Sequence, residues 1–103
     1  MFEGEYLNGK IWNGKGYNKD GKEEFEIKIG KGYVKEYNNK DGKLEFEGEY
    51  INGERNGKGK EYNIIYHNLQ FEGEYLNGIK YGKGKEYYLN SNLILFEGEN
   101  SMK

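Results

Sequence analysis

Along residues 46–50 the apolar or small positions Phe46, Gly48 and Tyr50 alternate with Glu47 and Glu49, and the alternation resumes at 57–62 in Gly57-Lys58-Gly59-Lys60-Glu61-Tyr62. A period of two marks a strand with one buried face. Both segments are therefore predicted to be strands with an aromatic-and-glycine face opposite a charged one. Paired antiparallel, they bring Lys58 and Lys60 beside Glu47 and Glu49, and such cross-strand neighbours contribute about 0.2–1 kcal/mol each. Gly48 and Gly59 then share the aromatic face, where missing side chains leave slots for rings. Glycine weakens its own strand, so the arrangement holds only where ring-on-backbone contact compensates. No stripe of helical period is visible.

The pattern recurs. All five phenylalanines, Phe2, Phe25, Phe46, Phe71 and Phe96, open the same kind of segment, at separations of 23, 21, 25 and 25 residues. Four read Phe-Glu-Gly-Glu, and those at Phe2, Phe46 and Phe71 continue Tyr-(Leu/Ile)-Asn-Gly, with Gly-Lys-Gly a few residues on. A period in the low twenties indicates units that bury their apolar faces only against neighbours. Units are placed near 2–24, 25–45, 46–70 and 71–95, with a partial unit at 96–103, in one array spanning 1–103.

The links Asp20-Gly21, Asp41-Gly42, His67-Asn68 and Ser91-Asn92 are predicted to be tight hairpin turns, and Asn8-Gly9, Asn52-Gly53 and Asn77-Gly78 to open a longer loop inside each unit. The second unit departs: Phe25-Glu26-Ile27-Lys28-Ile29 runs straight into Gly30-Lys31-Gly32, and Ile27 stands where glycine is expected. It is read as a short or bulged hairpin. The fold class is accordingly all-β, a single-layer antiparallel hairpin meander forming an elongated twisted sheet.

The motif Phe-Glu-Gly-Glu-Tyr-Leu-Asn-Gly followed by Gly-Lys-Gly resembles the MORN repeat, an aromatic-x-Gly-x-aromatic segment followed by two closely spaced glycines. The likeness covers nearly the whole chain: close at 46–62 and 71–88, good at 2–17 with one extra residue around Trp12, weak in the second unit. It implies a non-catalytic scaffold that tethers or dimerises, or a module for anionic phospholipid headgroups. A regulatory piece of a larger enzyme is a third reading, and the partial last unit reads either as a cap or as the cut end of a longer array.

Composition narrows the chemistry. The chain has no Cys, Pro, Thr or Ala but 17 Gly and 17 aromatic residues, so apolar burial must come largely from Tyr and Phe over glycine backbone. Without cysteine or an apolar run near 18 residues, neither a disulfide framework nor a membrane span is expected. The expected location is cytoplasmic, at the periphery of membrane or cytoskeleton if the resemblance holds. Net charge is −2, although residues 8–43 hold nine Lys against six acids.

Glu3/Glu5, Glu47/Glu49, Glu72/Glu74 and Glu97/Glu99 have a spacing that paired catalytic acids would need, yet they recur in every intact unit, whereas an active site is built once. Gly9-x-x-x-x-Gly14-Lys15-Gly16 mimics a phosphate loop but ends in glycine instead of Ser or Thr. His67, the lone histidine, suits a turn better than a metal, and Ser91 and Ser101 have no histidine in pattern. No cofactor and no enzymatic activity are expected. Nucleic acid is an unsuitable partner, because interleaved Glu would repel phosphates. The candidate surfaces are an aromatic face for a protein, a peptide or a second copy of the chain (Phe2, Tyr6, Trp12, Phe46, Tyr50, Phe71, Tyr75 and Phe96) and a row of lysines for an anionic membrane surface (Lys15, Lys31, Lys58 and Lys83).

Overall fold

The computed structural model describes residues 1–89, 91 and 93–100. Among these residues nine strands run in chain order: β1 Phe2–Leu7, β2 Lys10–Tyr17, β3 Glu23–Lys28, β4 Lys31–Tyr37, β5 Leu44–Ile51, β6 Glu54–Tyr62, β7 Leu69–Leu76, β8 Ile79–Tyr87 and β9 Ile94–Asn100. Each pairs antiparallel with the next in one open sheet, so the topology is a pure meander. No helix occurs among the described residues, hence none long and apolar enough to cross a membrane.

The register explains the glycines. Gly48 lies opposite Gly59, Gly59 opposite Gly73, Gly73 opposite Gly84 and Gly84 opposite Gly98, which lays a stripe of bare backbone across β5 to β9. Phenylalanine rings fill that stripe: a Cβ on Gly59 would stand 2.7 Å from Phe46 Cε1, and one on Gly73 would stand 2.8 Å from Phe71 Cζ. Phe46 and Phe71 are 0% exposed and Tyr75 is 4% exposed, with Tyr50 packed beside them. Tyr75 meets both phenylalanines edge-on, with centroids 5.4 and 5.7 Å away. A single-layer sheet thus builds its core from rings lying on its own backbone.

The two sets of turns are the reverse of the sequence expectation. Asn8-Gly9, Ile29-Gly30, Asn52-Gly53 and Asn77-Gly78 are the tight two-residue turns, every residue at φ between 51° and 86°. The longer loops are the links between units, residues 18–22, 38–43 and 63–68, and Tyr88 and Leu93 bound the fourth, the Tyr88 amide donating to Leu93 O. Asparagine closes the first three: Asn18 Oδ1 accepts from the Asp20 and Lys22 amides, Asn38 Oδ1 from that of Lys40, and Asn63 Oδ1 from those of Ile65 and Tyr66. His67 sits in such a loop at φ 63°. The proposed Ser91-Asn92 turn includes Asn92, and the partial unit includes 101–103, which lie outside the described residues.

The second unit is indeed a short hairpin, with Ile27 opposite Gly32 and Lys28 opposite Lys31. Ile27 is fully buried in place of the usual glycine, and Val34 beside it is 2% exposed. Because this hairpin is short, its neighbours converge over its turn. The Gly30 amide donates to Trp12 O at 2.8 Å, the Gly53 amide donates to Gly30 O at 2.9 Å, and Lys10 Nζ reaches Glu54 Oε1 at 2.5 Å. Trp12 belongs to β2, not to a loop, and is half-buried against the Gly30 turn.

Candidate interaction surfaces

On the aromatic face the repeat places a carboxylate between a tyrosine hydroxyl and a cation. Tyr50 Oη donates to Glu36 Oε2 at 2.6 Å, and the Arg55 guanidinium grips the same carboxylate with two bonds of 3.0 and 3.1 Å. One unit on, Tyr75 Oη donates to Glu61, and Lys80 Nζ lies 3.6 Å from that carboxylate. The cations also cap the core: Arg55 Cζ stands 4.0 Å from the Phe46 ring centroid, and Lys80 Nζ stands 4.3 Å from that of Phe71. Burial, then the hydrogen bond to a carboxylate, pushes the Tyr50 and Tyr75 hydroxyl pKa values well above the usual tyrosine range. Burial works against the Arg55 charge, and Glu36 beside it outweighs that, leaving its pKa raised.

This consumes much of the surface proposed from sequence. Phe46, Phe71 and Tyr75 are core residues out of a partner's reach, and the Tyr50 hydroxyl is committed to Glu36. Phe2 and Tyr50 line a groove of about 1230 Å³ together with Ile11, Phe25, Val34 and the loops at 18–22 and 38–43. Tyr6 and Phe96, at the two ends of the sheet, are exposed.

The opposite face is a ladder of alternating charge. Across one row Lys35, Glu47, Lys60, Glu72, Lys85 and Glu97 face one another in turn, and across the next Lys58 lies between strands bearing Glu49 and Glu74, with Lys83 opposite Glu99. Lys31, Lys58 and Lys83 line one groove of about 1220 Å³ with Tyr33 and these glutamates, whereas Lys15 lies outside it, 3.3 Å from Glu23, which raises its pKa. The four lysines therefore do not form a bare cationic row. The glutamate pairs act as struts: Glu47 accepts from Tyr62 Oη at 3.0 Å, Glu72 accepts from Tyr87 Oη at 2.7 Å, and Glu49 and Glu74 accept the Lys58 and Lys83 amides at 2.9 and 2.8 Å. Burial and then its glutamate lift the pKa of Tyr62 to about 12; for Tyr87 the bond to Glu72 comes first and the value is again about 12.

A third surface was missed from sequence. The first two inter-unit loops are polar, Asn18-Lys19-Asp20-Gly21-Lys22 and Asn38-Asn39-Lys40-Asp41-Gly42-Lys43, but the third reads Asn63-Ile64-Ile65-Tyr66-His67-Asn68 and the fourth carries Tyr88, Leu89 and Leu93. Asn68 Nδ2 donates to Tyr88 O at 3.3 Å and to Ser91 O at 3.1 Å, tying the two loops together. Ile64, Ile65, Tyr66, Tyr88, Leu89 and Leu93 are all at least half exposed, and Ile94, Leu95 and Phe96 continue the exposed apolar run along β9. The signal was present as a polar-to-apolar switch at one position of the repeat. Compared with protein-family models, with curated proteins and with solved structures, the chain shows no match.

Proposed function

We propose that the chain is a MORN-type repeat array acting as a non-catalytic, cytoplasmic scaffold that binds protein. The observation carrying this reading is the contiguous exposed apolar run of the last two inter-unit loops and β9, the two loops tied together through Asn68. Exposed apolar surface rimmed by polar groups is the usual mark of a protein interaction site. The carboxylates support the same reading, since Glu47, Glu49, Glu72 and Glu74 are spent on tyrosine hydroxyls and backbone amides. A second copy of the chain is one partner these loops would accept. Light scattering over a range of concentration and salt, with the triple substitution Ile65→Lys, Leu89→Lys and Leu93→Lys alongside, tests it. The reading expects assembly, with itself or with a purified binding protein, that persists in salt and is lost in the substituted chain; assembly indifferent to those substitutions refutes it.

Anionic phospholipid headgroups are the second reading, favoured by Lys31, Lys58 and Lys83 in one groove. Glutamates opposite each lysine of the ladder oppose it. It requires salt-sensitive binding to phosphatidylserine vesicles that Lys58→Glu with Lys83→Glu abolishes.

A further inference from the structure

We infer that the edge of β9 left unpaired among the described residues is a docking site for an extended strand of another protein, of the order cation-x-Gly-Lys-Gly-Lys-Glu. This rests on the scaffold reading and gives its partner a chemistry. The sheet alternates two kinds of strand, and the acidic Phe-Glu-Gly-Glu kind is completed from both sides in the interior. On the chain-forward side of β5, Glu47 meets Lys60, Gly48 meets Gly59 and Tyr50 meets Arg55; on that side of β7, Glu72 meets Lys85, Gly73 meets Gly84 and Tyr75 meets Lys80. β9 repeats the acidic sequence but pairs only backward, with β8, and no strand lies beyond it among the described residues.

Three groups on β9 stand incomplete in a way the interior defines. Phe46 and Phe71 are fully buried because the following strand brings Arg55 or Lys80 over the ring, whereas Phe96 is 43% exposed with no such cation among the described residues. Glu97 is held by Lys85 at 3.7 Å from one side only, with more than half its side chain in solvent. Gly98 carries only the Phe96 ring, at 3.1 Å from a notional Cβ, while Gly59 is pressed by rings from two strands. A forward strand with a cation, glycines and lysines in the order of Arg55-Asn56-Gly57-Lys58-Gly59-Lys60-Glu61 and of Lys80-Tyr81-Gly82-Lys83-Gly84-Lys85-Glu86 would complete all three.

The same pattern excludes the other edge and a second copy. The forward strand that β9 lacks is already in place for β1, whose Phe2 ring leans onto Gly14 of β2, so the other edge does not call for the same partner. Pairing β9 with β9 or with β1 of another copy sets Glu97 and Glu99 against glutamates, and like charges directly opposite are destabilising. An acidic edge of this kind resists self-stacking and selects a basic strand.

The test is a fluorescein-labelled peptide Lys-Tyr-Gly-Lys-Gly-Lys-Glu-Tyr, titrated by anisotropy at low salt into the intact chain, with amide shifts mapped by NMR. The expected result is saturable binding with shifts confined to β9 and its neighbour β8. A scrambled peptide of the same composition and a Glu97→Lys/Glu99→Lys chain, shown folded by its spectrum, should each weaken binding by about tenfold or more, and the substituted chain should gain affinity for the peptide with Lys replaced by Glu. Equal binding of the scrambled peptide, shifts in the Lys/Glu groove or in β7, or no binding at millimolar peptide would overturn the inference. Any of these, with assembly through the apolar loops intact, would leave the scaffold reading standing.

Discussion

Adding one methyl group at equivalent glycines of two units separates a packing role from a mere strand position. A Cβ on Gly73 would stand 2.6 Å from Gly84 Cα, 2.7 Å from Lys83 O and 2.8 Å from the buried Phe71 ring. Two of those three neighbours are main chain, so relief requires moving β8 off β7. On Gly98, 25 residues on, the nearest neighbour is the exposed Phe96 ring at 3.1 Å, which can swing away. Neither glycine has the positive φ that would penalise alanine by itself. Overpacking a core of this tightness costs about 1–3 kcal/mol, while Gly→Ala gains about 0.4–1 kcal/mol by restricting the unfolded chain. Gly73→Ala is therefore expected to destabilise by about 2 kcal/mol, and Gly98→Ala to be neutral or to stabilise by about 0.5 kcal/mol. Urea denaturation followed by far-UV circular dichroism, with unchanged slope, gives both numbers. Equal effects of the two substitutions, or a loss under about 0.5 kcal/mol at Gly73, would refute the idea that rings lying on bare backbone make the core.

Three further outcomes follow from side chains already placed. Glu36→Ala leaves Tyr50 Oη and the Arg55 guanidinium without their acceptor; it should cost about 2 kcal/mol in the same denaturation assay, with Glu36→Gln costing less. Ile29 occupies a left-handed turn position at φ 51° where the other tight turns carry asparagine, and its side chain is exposed; Ile29→Asn should raise stability by about 1 kcal/mol, and a loss would refute strain there. Tyr37, Tyr62 and Tyr87 have pKa values raised to about 12 from an ordinary value of 10, so the folded state keeps its protons longer than the unfolded one. Their contribution is complete below pH 10 and falls away as pH climbs through 12, so the urea midpoint should drop over that window while phenolate absorbance lags behind that of model tyrosine. A midpoint flat from pH 10 to 12 would contradict these bonds.

The sheet was legible because its two signals are local: alternation set the faces, and phenylalanine spacing set the units. The turns were misassigned because Asn-Gly and Asp-Gly both tolerate positive φ, leaving loop length to decide between them. Length was disguised at residues 54–56, where Arg55 breaks the apolar alternation and reads as loop. In the structure Arg55 is a strand residue that covers the Phe46 ring and binds Glu36, a charge doing the work of an apolar neighbour. Lys80 hides the end of the next unit in the same way. For the same reason the aromatic face looked open from sequence: nothing in a list of rings tells which of them lie under a cation from the next strand. The apolar loops stand outside the repeating pattern, because Ile64 to Tyr66 are where the repeat changes.

A chain made of near-copies must also choose among near-equivalent partners while it folds. β6 and β8 present the same Gly-Lys-Gly-Lys-Glu-Tyr face, so β9 could settle on either, and a slip of one whole unit would satisfy most charges. The short second unit removes that degeneracy at one end. Only where a hairpin is cut short can Lys10 and Glu54 join across it, from the first unit to the third. No other ion pair among the described residues skips a unit, so this one serves as a phase mark from which the later hairpins are counted. Restoring a full-length hairpin at 25–37 is expected to make refolding slower and multiphasic, through arrays that are locally correct and globally displaced.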